Sequence, residues 1–367
     1  MAESYQPLRD LFSRAGYAFV EPPSLHDARI FVELAREDLR RRLFLATDAQ
    51  GRELALRPDY TIPVCLQHLA GGPARRRANY AYLGPVFRQR PGAPGEFLQA
   101  GVESLGRTDR EAADADVLKL ALESAATLGV RKPSVRIGDS TLFAALLDAL
   151  DVSLPWQRRL ARSFGDTRRL AALIARGRSD NGARRRVVPV ALGRERREAE
   201  ARAGELLAAH GLATVGGRTA EEIAGRVVEK TELAAGIGAR AAKVLSAYLA
   251  LAGSKAAAPG LLRAFARRER VAIGPTIDRF AERVEALAKA GVDPARLAFA
   301  ADFGRRLDYY TGFVFEIHDA ARPKLAQIVG GGRYDRLLAL IPGQTAAKGN
   351  IPAIGFSIWL DRIGGAP

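Results

Sequence analysis

Apolar positions between Tyr5 and Arg14 recur at three- to four-residue spacing and stop before Gly16, which predicts a short amphipathic helix. Tyr17 to Val20 then leads into Glu21-Pro22-Pro23, where two prolines enforce an extended chain. Two alternating apolar runs, Arg42 to Thr47 and Arg52 to Arg57, flank Asp48-Ala49-Gln50-Gly51 and predict a hairpin. A helix over Thr61 to Ala70 follows, then strands over Ala78 to Arg88 and Phe97 to Gly106. A long helix from Arg110 to Leu128 ends at Gly129, and Ser134 to Ile137 reads as a further short strand.

The pattern changes at about Asp151. From there to Arg268 the chain is rich in Ala, Leu, Arg and Glu, poor in β-branched runs, and reads as helices broken at Gly165, Gly177, Gly193, Gly211 and Gly236, with no fixed repeat. Pro275 to Ala290 is one more amphipathic helix. Strand patterning returns in Arg296 to Asp302, Thr311 to His318 and Lys324 to Val329. A Gly330-Gly331-Gly332 turn, a helix from Tyr334 to Leu340 and a last helix over Ala353 to Ile363 complete the reading. Strands thus gather at both ends of the chain. That segregation implies an α+β fold with a mainly antiparallel sheet, its halves at 1–150 and 271–367, separated by a helical insertion at 151–270.

Composition narrows the function classes. The chain has 367 residues, 48% of them hydrophobic and 26% charged, which is ordinary globular material. Its net charge of +15 raises a nucleic-acid reading. Residues 151–202 hold 14 Arg, no Lys and six acidic residues, a net +8, so over half of the excess lies in the helical block. An RNA-binding module is one reading of that block. Solvated helix faces rich in Arg are the preferred one, because only Trp156 and Phe164 are there to stack on bases. Cys65 is the single cysteine and is read as a small core residue; the histidines at 26, 68, 210 and 318 show no ligand spacing, so no metal and no cofactor are expected. No signal-peptide pattern opens the chain and no apolar run is long enough to span a bilayer, so the expected location is the cytoplasm.

Four islands carry candidate chemistry. Arg57-Pro58-Asp59-Tyr60-Thr61 sits at a strand-to-helix junction, where Asp59 or Thr61 either caps the helix or faces a pocket. Along Phe97 to Glu103, side chains alternate in direction, so Gln99, Gly101 and Glu103 share one face. That face fits an ammonium group, and a solvent-exposed polar sheet face fits the same alternation. Arg88, on the preceding strand, suits a carboxylate or phosphate. The third island is Gly304-Arg-Arg-Leu-Asp-Tyr-Tyr-Thr-Gly312. The fourth joins Gly330-Gly-Gly-Arg-Tyr-Asp335 with Gly355-Phe-Ser-Ile-Trp-Leu-Asp-Arg362; three glycines allow close backbone approach, but no Walker sequence follows.

In this order the islands resemble the catalytic core of class II histidyl-tRNA synthetases. Leu56-Arg-Pro-Asp-Tyr-Thr61 resembles that family's Leu-Arg-Pro-Glu-Gly-Thr; Phe87-Arg88 through Gln99 and Glu103 resembles motif 2; Arg305 to Gly312 resembles the histidine-specific Arg-Gly-Leu-Asp-Tyr-Tyr loop. Gly331 to Asp335 resembles the second histidine-specific segment, and Ala353 to Arg362 resembles motif 3. The Pro22-Pro23 region is a loose match to motif 1, the dimer-forming segment of that family. The departures are specific. Trp359 stands where motif 3 should have a Gly beside the nucleotide, Asp361-Arg362 replaces Glu-Arg, Arg305-Arg306 replaces Arg-Gly, and the motif 2 loop between Gln89 and Gly95 is shorter. The chain stops at Pro367, before any anticodon-binding domain, which is therefore expected to be absent.

Together these features resemble the regulatory subunits of ATP phosphoribosyltransferase, the synthetase paralogues of histidine biosynthesis. The resemblance implies a class II synthetase-like core, no catalytic residue of its own, L-histidine as effector, and a hetero-oligomer with the short-form catalytic subunit built on a homodimeric core, with no membrane and no tRNA partner. It implies that Asp59, Gln99 and Glu103 hold the α-ammonium with Thr61 orienting Asp59. Arg88 or Arg305 would meet the carboxylate, and Tyr309, Tyr310 and Tyr334 would line the imidazole side. A catalytically active histidine-activating enzyme or amino-acid:RNA ligase is the alternative, since Arg88 and Arg362, the two class-defining arginines, are retained.

Overall fold

The computed structural model describes residues 5–34, 37–178, 194–211, 214–215, 218–254, 257–293, 296–304, 309–342 and 349–363. The helices are α1 (Gln6–Arg14), α2 (Ala28–Leu34), α3 (Glu37–Arg40), α4 (Thr61–Ala70), α5 (Arg110–Thr127), α6 (Ser140–Ala149) and α7 (Leu154–Ala161), then α8 (Thr167–Gly177), α9 (Arg194–Ala209), α10 (Ala220–Ala235), α11 (Gly238–Leu249), α12 (Ala258–Glu269), α13 (Gly274–Lys289) and α14 (Leu337–Leu340). The strands are β1 (Ala18–Phe19), β2 (Leu25–Asp27), β3 (Leu45–Thr47), β4 (Glu53–Leu56), β5 (Ala78–Phe87), β6 (Glu96–Leu105) and β7 (Pro133–Asp139). They continue with β8 (Thr214–Val215), β9 (Arg218–Thr219), β10 (Ala252–Ser254), β11 (Leu297–Ala300), β12 (Phe313–Asp319), β13 (Val329–Arg333) and β14 (Ala353–Trp359). No helix among the described residues is long and apolar enough to cross a membrane.

A nine-stranded sheet in the order β1-β5-β6-β14-β13-β12-β7-β11-β10 forms the centre. Every pairing in it is antiparallel except β1 with β5 and β11 with β7. The mainly antiparallel α+β architecture expected from the patterning is therefore present, with its strands drawn from both ends of the chain. Helix α5 lies across β14, β13, β12 and β7. Its buried Ala113, Ala115, Ala121 and Ala125 carry little bulk, so its backbone lies close to the sheet. In α1, Leu8 and Phe12 sit four residues apart and are buried in the same core, which is why that short helix holds.

Four elements depart from the patterning. Gly330-Gly331-Gly332 is part of strand β13 and not a turn. A Cβ at Gly331 would stand 2.4 Å from the Phe315 ring and 2.6 Å from the Gly355 carbonyl, so the glycines are there to let three strands close around Phe315. Lys324 to Ile328 is a loop, held by turns from Asp319 to Arg322 and from Arg322 to Leu325. Ala353–Trp359 is strand β14, followed only by a single 3-10 turn at Leu360–Arg362. It lies between β6 and β13 with both faces covered, so its run of apolar residues has no strand alternation to read. Tyr334 extends the β13–β14 pairing by donating its N–H to Ala353 O, so helix α14 begins only at Leu337.

The 151–270 segment is mostly helical, but it also contributes the β8–β9 ribbon and strand β10, which pairs with β11 at the sheet edge. Trp156, Leu160, Phe164, Leu173, Leu245, Tyr248 and Phe265 from this segment share one continuous apolar core with Val135, Ile137 and Phe299 of the sheet. The predicted break at Gly193 lies outside the described residues.

A buried ion network ties the two ends of the chain together. Asp114 of α5 is fully buried and lies between two arginines from the far end of the sequence. Arg333 of β13 donates to its Oδ1 from Nε at 2.9 Å and from Nη2 at 2.6 Å. Arg283 of α13 donates to its Oδ2 at 2.6 Å, and to Asp139 Oδ2 at 2.6 Å. Asp335 takes the remaining Arg333 nitrogen at 3.0 Å and accepts from the Ala353 N–H at 2.9 Å. Removing Asp114 strips each buried arginine of one of its carboxylate partners, and breaking buried pairs in this way costs about 3–5 kcal/mol. Asp114→Ala is expected to lower the free energy of unfolding by that amount in urea titration, far more than Asp109→Ala at the exposed pair with Arg107.

Candidate functional site

The site is built on the face of β6 opposite α5. Ala100 and Val102 point into the main core, so Gln99, Gly101 and Glu103 point the other way. That second face is covered as well: Gln99 and Glu103 are 0% and 1% exposed. The alternative of a solvated polar sheet face is thereby corrected; α4 and its neighbours close over it.

Three cross-strand rows shape this face. Tyr82, Gly101 and Ser357 form one row, and the Tyr82 hydroxyl bonds Ser357 Oγ at 2.8 Å across the glycine. A Cβ at Gly101 would stand 2.4 Å from that hydroxyl. In the next row Tyr80, Glu103 and Gly355 are aligned, and the Glu103 carboxylate fills the space over Gly355, where a Cβ would stand 1.8 Å from Oε2. The third row is Gly84, Gln99 and Trp359. A Cβ at Gly84 would meet the Tyr60 hydroxyl at 2.1 Å. Each row thus has one glycine whose missing side chain gives room to a polar or aromatic neighbour.

The 57–61 island is pinned from several sides. Arg57 donates to Pro22 O at 2.6 Å and Pro85 O at 2.9 Å, and lies 4.1 Å over the Tyr60 ring, which stacks on Tyr82. Arg88 Nε donates to Pro58 O at 2.6 Å. Asp59, 3% exposed, accepts a long bond from the Ile62 N–H through Oδ1 at 3.4 Å, so it does serve the start of α4. Its Oδ2 is buried and has no hydrogen-bond partner among the described residues. The two amide atoms of Gln99 are in the same condition.

Charge here is set by burial. Desolvation pushes the Asp59 carboxyl up, against the pull of the Arg88 charge. Burial pushes Glu103 up to about 8, opposed by hydrogen bonds from Tyr334 and Thr61 and reinforced by the nearby Asp59. Glu103 Oε2 accepts from the Tyr334 hydroxyl. Burial and the neighbouring Glu103 raise the Tyr334 phenol as well.

A cavity of about 470 Å³ opens over this floor. Asp59, Thr61, Arg88, Gln99, Tyr309 and Tyr310 line it, so the structure brings six of the predicted residues to one wall. Glu103 and Tyr334 lie a layer beneath, hydrogen-bonded to each other, with Tyr334 edge-on to Tyr309 at 6.0 Å. Arg305 lies outside the described residues. Patterning missed Arg42, Arg136, Glu316, Gln327 and Ser357, which also line the cavity. Glu316 had a signal, a carboxylate inside the apolar run Phe313 to Ile317; Gln327, on a loop, had none. Trp359 is 5% exposed and packs with Tyr60, Val64, Tyr82, Val86 and Phe97. Its indole lines the cavity, with the Arg362 guanidinium 4.6 Å over the ring and an Arg362 nitrogen donating to Gln327 O at 2.6 Å. The shortened motif 2 loop is fastened to the same corner by the Arg90–Asp361 pair at 2.6 Å.

This geometry has close relatives. A family model described as histidyl-tRNA synthetase matches residues 1–228 and 218–363. The ATP phosphoribosyltransferase regulatory subunit of Sinorhizobium medicae is 42% identical over 366 residues, covering 96% of this chain and 94% of its own. That of Brucella canis is 43% identical over 350 residues, covering 94% and 92%. Among solved structures, an ATP phosphoribosyltransferase regulatory subunit/histidyl-tRNA synthetase from Bacillus halodurans superposes with TM-score 0.63 at 22% identity, over 99% of this chain and 77% of that one. Histidyl-tRNA synthetase from Nostoc gives 0.64 at 17% identity, over 99% and 70%. At those identities the superpositions speak for the fold, a class II synthetase-like core. The curated relatives, at over 40% identity along almost the whole chain, carry the finer assignment: this chain belongs to the ATP phosphoribosyltransferase regulatory subunit family.

Proposed function

We propose that the chain is the histidine-sensing, non-catalytic subunit of a cytoplasmic ATP phosphoribosyltransferase, acting in the first step of histidine biosynthesis. It would sit as a homodimeric core in a hetero-oligomer with the short-form catalytic subunit, with no tRNA partner, and 151–270 would be an insertion between core halves 1–150 and 271–367. The observation that carries the sensing role is the set of buried, unsatisfied atoms on the cavity wall, Asp59 Oδ2 and the Gln99 amide. Each such group costs about 1–3 kcal/mol when left unmade, so polar atoms of this kind at a cavity wall suit a polar ligand. A carboxylate oxygen beside an amide oxygen accepts from an ammonium group, with Glu103 in reserve beneath and the Thr61 N–H steadying Asp59. Arg88, or Arg305, would take the carboxylate, and Tyr309, Tyr310 and Tyr334 the imidazole side.

The direct test is reconstitution with the short catalytic subunit. Phosphoribosyl transfer is expected to rise when this chain is added and to fall on addition of L-histidine. Asp59→Asn and Gln99→Ala should raise the histidine concentration needed for half inhibition by about tenfold or more, the loss of one charge-assisted contact. Inhibition unchanged by both substitutions would remove the pocket from the sensing role.

Proton linkage gives a second check. With its folded-state value near 8, Glu103 keeps its proton at neutral pH in the empty site. A bound ammonium favours the ionised form, so binding below pH 8 expels a proton, and affinity should increase as pH rises from 7 to 8. Calorimetry in buffers of differing ionisation enthalpy is expected to count more protons released by the parent chain than by Glu103→Gln.

One observation favours a second reading, a histidine-activating enzyme: Arg88 and Arg362 both line the cavity. Against it stands Trp359, whose indole occupies the wall where the synthetase pattern requires a glycine. Histidine-dependent ATP–pyrophosphate exchange is expected to be absent. Trp359→Gly is expected to gain ATP binding detectable by equilibrium dialysis; exchange by the parent chain would favour the enzyme reading.

A further inference from the structure

A second and larger cavity, of about 710 Å³, lies on the other side of Tyr310 and Gly304, which line both. Its walls come from α6, the end of α7 and α13, and from the residues that open α14. Among the described residues three arginines line it, Arg162 at the end of α7, Arg279 on α13 and Arg336 before α14, against one acidic residue, Asp148. None of the three arginines is in an ion pair among the described residues. Arg279 donates only to the Thr276 hydroxyl, at 3.3 Å, and Asp148 already accepts from Gln157 at 3.0 Å. These charges therefore converge from separate elements on one space without neutralising one another. The floor is of a different kind. Phe143 and Phe164 stack with centroids 4.8 Å apart and 20° between planes, and both line the cavity with Val314.

We propose that this cavity binds a phosphate monoester carrying an aromatic ring. Among the described residues the lining carries an excess of cations, which suits the −1.5 to −2 that a phosphate monoester carries near pH 7. Arginine suits its planar, multidentate oxygens. The Phe143–Phe164 floor takes the ring, and the volume lies within the usual range for small-molecule sites. The site is separate from the histidine pocket and its assignment is independent of it. If both readings hold, Tyr310, shared by the two cavities, links the two ligands, and each changes the affinity of the other by the same factor.

The test is titration of the full-length chain with phenyl phosphate at low salt, without histidine, followed by phosphorus NMR and calorimetry. Saturable binding is expected with Kd of about 1 mM or tighter, as befits a fragment of that size. Inorganic phosphate should bind at least severalfold more weakly, and phenol should not bind. The triple variant Arg162→Gln/Arg279→Gln/Arg336→Gln changes exposed side chains, so thermal melting should stay near that of the parent while Kd rises by about tenfold or more. Arg88→Gln, which lines the first cavity and not the second, should leave Kd within about twofold while histidine is absent. Binding that survives in the triple variant, binding lost in Arg88→Gln, inorganic phosphate as tight as phenyl phosphate, or no binding by any probe would each overturn the assignment.

Discussion

Asp114 is the point on which the two halves of the sheet depend. It comes from a helix of the first half, and the two arginines that neutralise it, Arg283 and Arg333, come from the second. Neither arginine tolerates burial alone; Arg283 is held between Asp114 and Asp139, and Arg333 between Asp114 and Asp335. A hydrophobic triad of similar volume could be as stable. What the ionic version adds is placement: bonds of 2.6–3.0 Å to named oxygens leave little freedom for α5, α13 and β13 to slide past one another. Asp139 also caps α6 through the Thr141 N–H at 2.8 Å, so the same network sets the start of the helix that borders the larger cavity.

Placement of β13 has a chemical consequence one residue on. Arg333 points into the ion network and Tyr334 points to the opposite side, where its hydroxyl meets Glu103. Anchoring of the arginine therefore fixes where the phenol lies, and the phenol fixes one oxygen of the buried carboxylate. Glu103 in turn occupies space that exists only because Gly355 has no side chain. The pocket floor is thus a packing solution in which glycines on β5, β6 and β14 alternate with Tyr82, Glu103 and Trp359, and its polar atoms are held by covalent neighbours in well-ordered strands. Pre-organisation of that kind spares a ligand the entropy of ordering its own site.

The sequence made the strands on either side of Gln99 and Glu103 legible because β5 and β6 are long, and the helix at Thr61–Ala70 because a Gly and a polar junction bound it. It did not show that β14 is a strand. Ala353–Trp359 is buried on both faces, so its apolar residues follow no period of two, and Gly355 within it serves to admit Glu103. The glycine triplet misled for the same reason: a turn and a tightly packed strand both ask for missing side chains. Six predicted residues met on one wall because motif spacing encodes strand register. Glu316 and Arg136, directly paired across β12 and β7, escaped notice because their pairing joins segments 180 residues apart, which no local pattern reports. Arg333 was read as part of a ligand-binding segment, and its buried partners show a positioning role.

The two parts of this cavity are built differently. The floor retains costly features, a buried carboxyl pushed up by desolvation and an amide without partners, which stability alone does not select. The opposite side is filled by ordinary packing: the Trp359 indole in an aromatic cluster, Arg362 stacked on it and tied to Gln327 O, and Arg90 paired with Asp361. Arg362 thus contributes its charge to a stacked, hydrogen-bonded structure, and retention of a motif arginine is no sign that its original ligand is still bound. Strained polarity persists on one side of the cavity and relaxed packing on the other. The floor, β13 and the Asp114 network are physically connected, since Arg333 of the network and Tyr334 of the floor are consecutive residues.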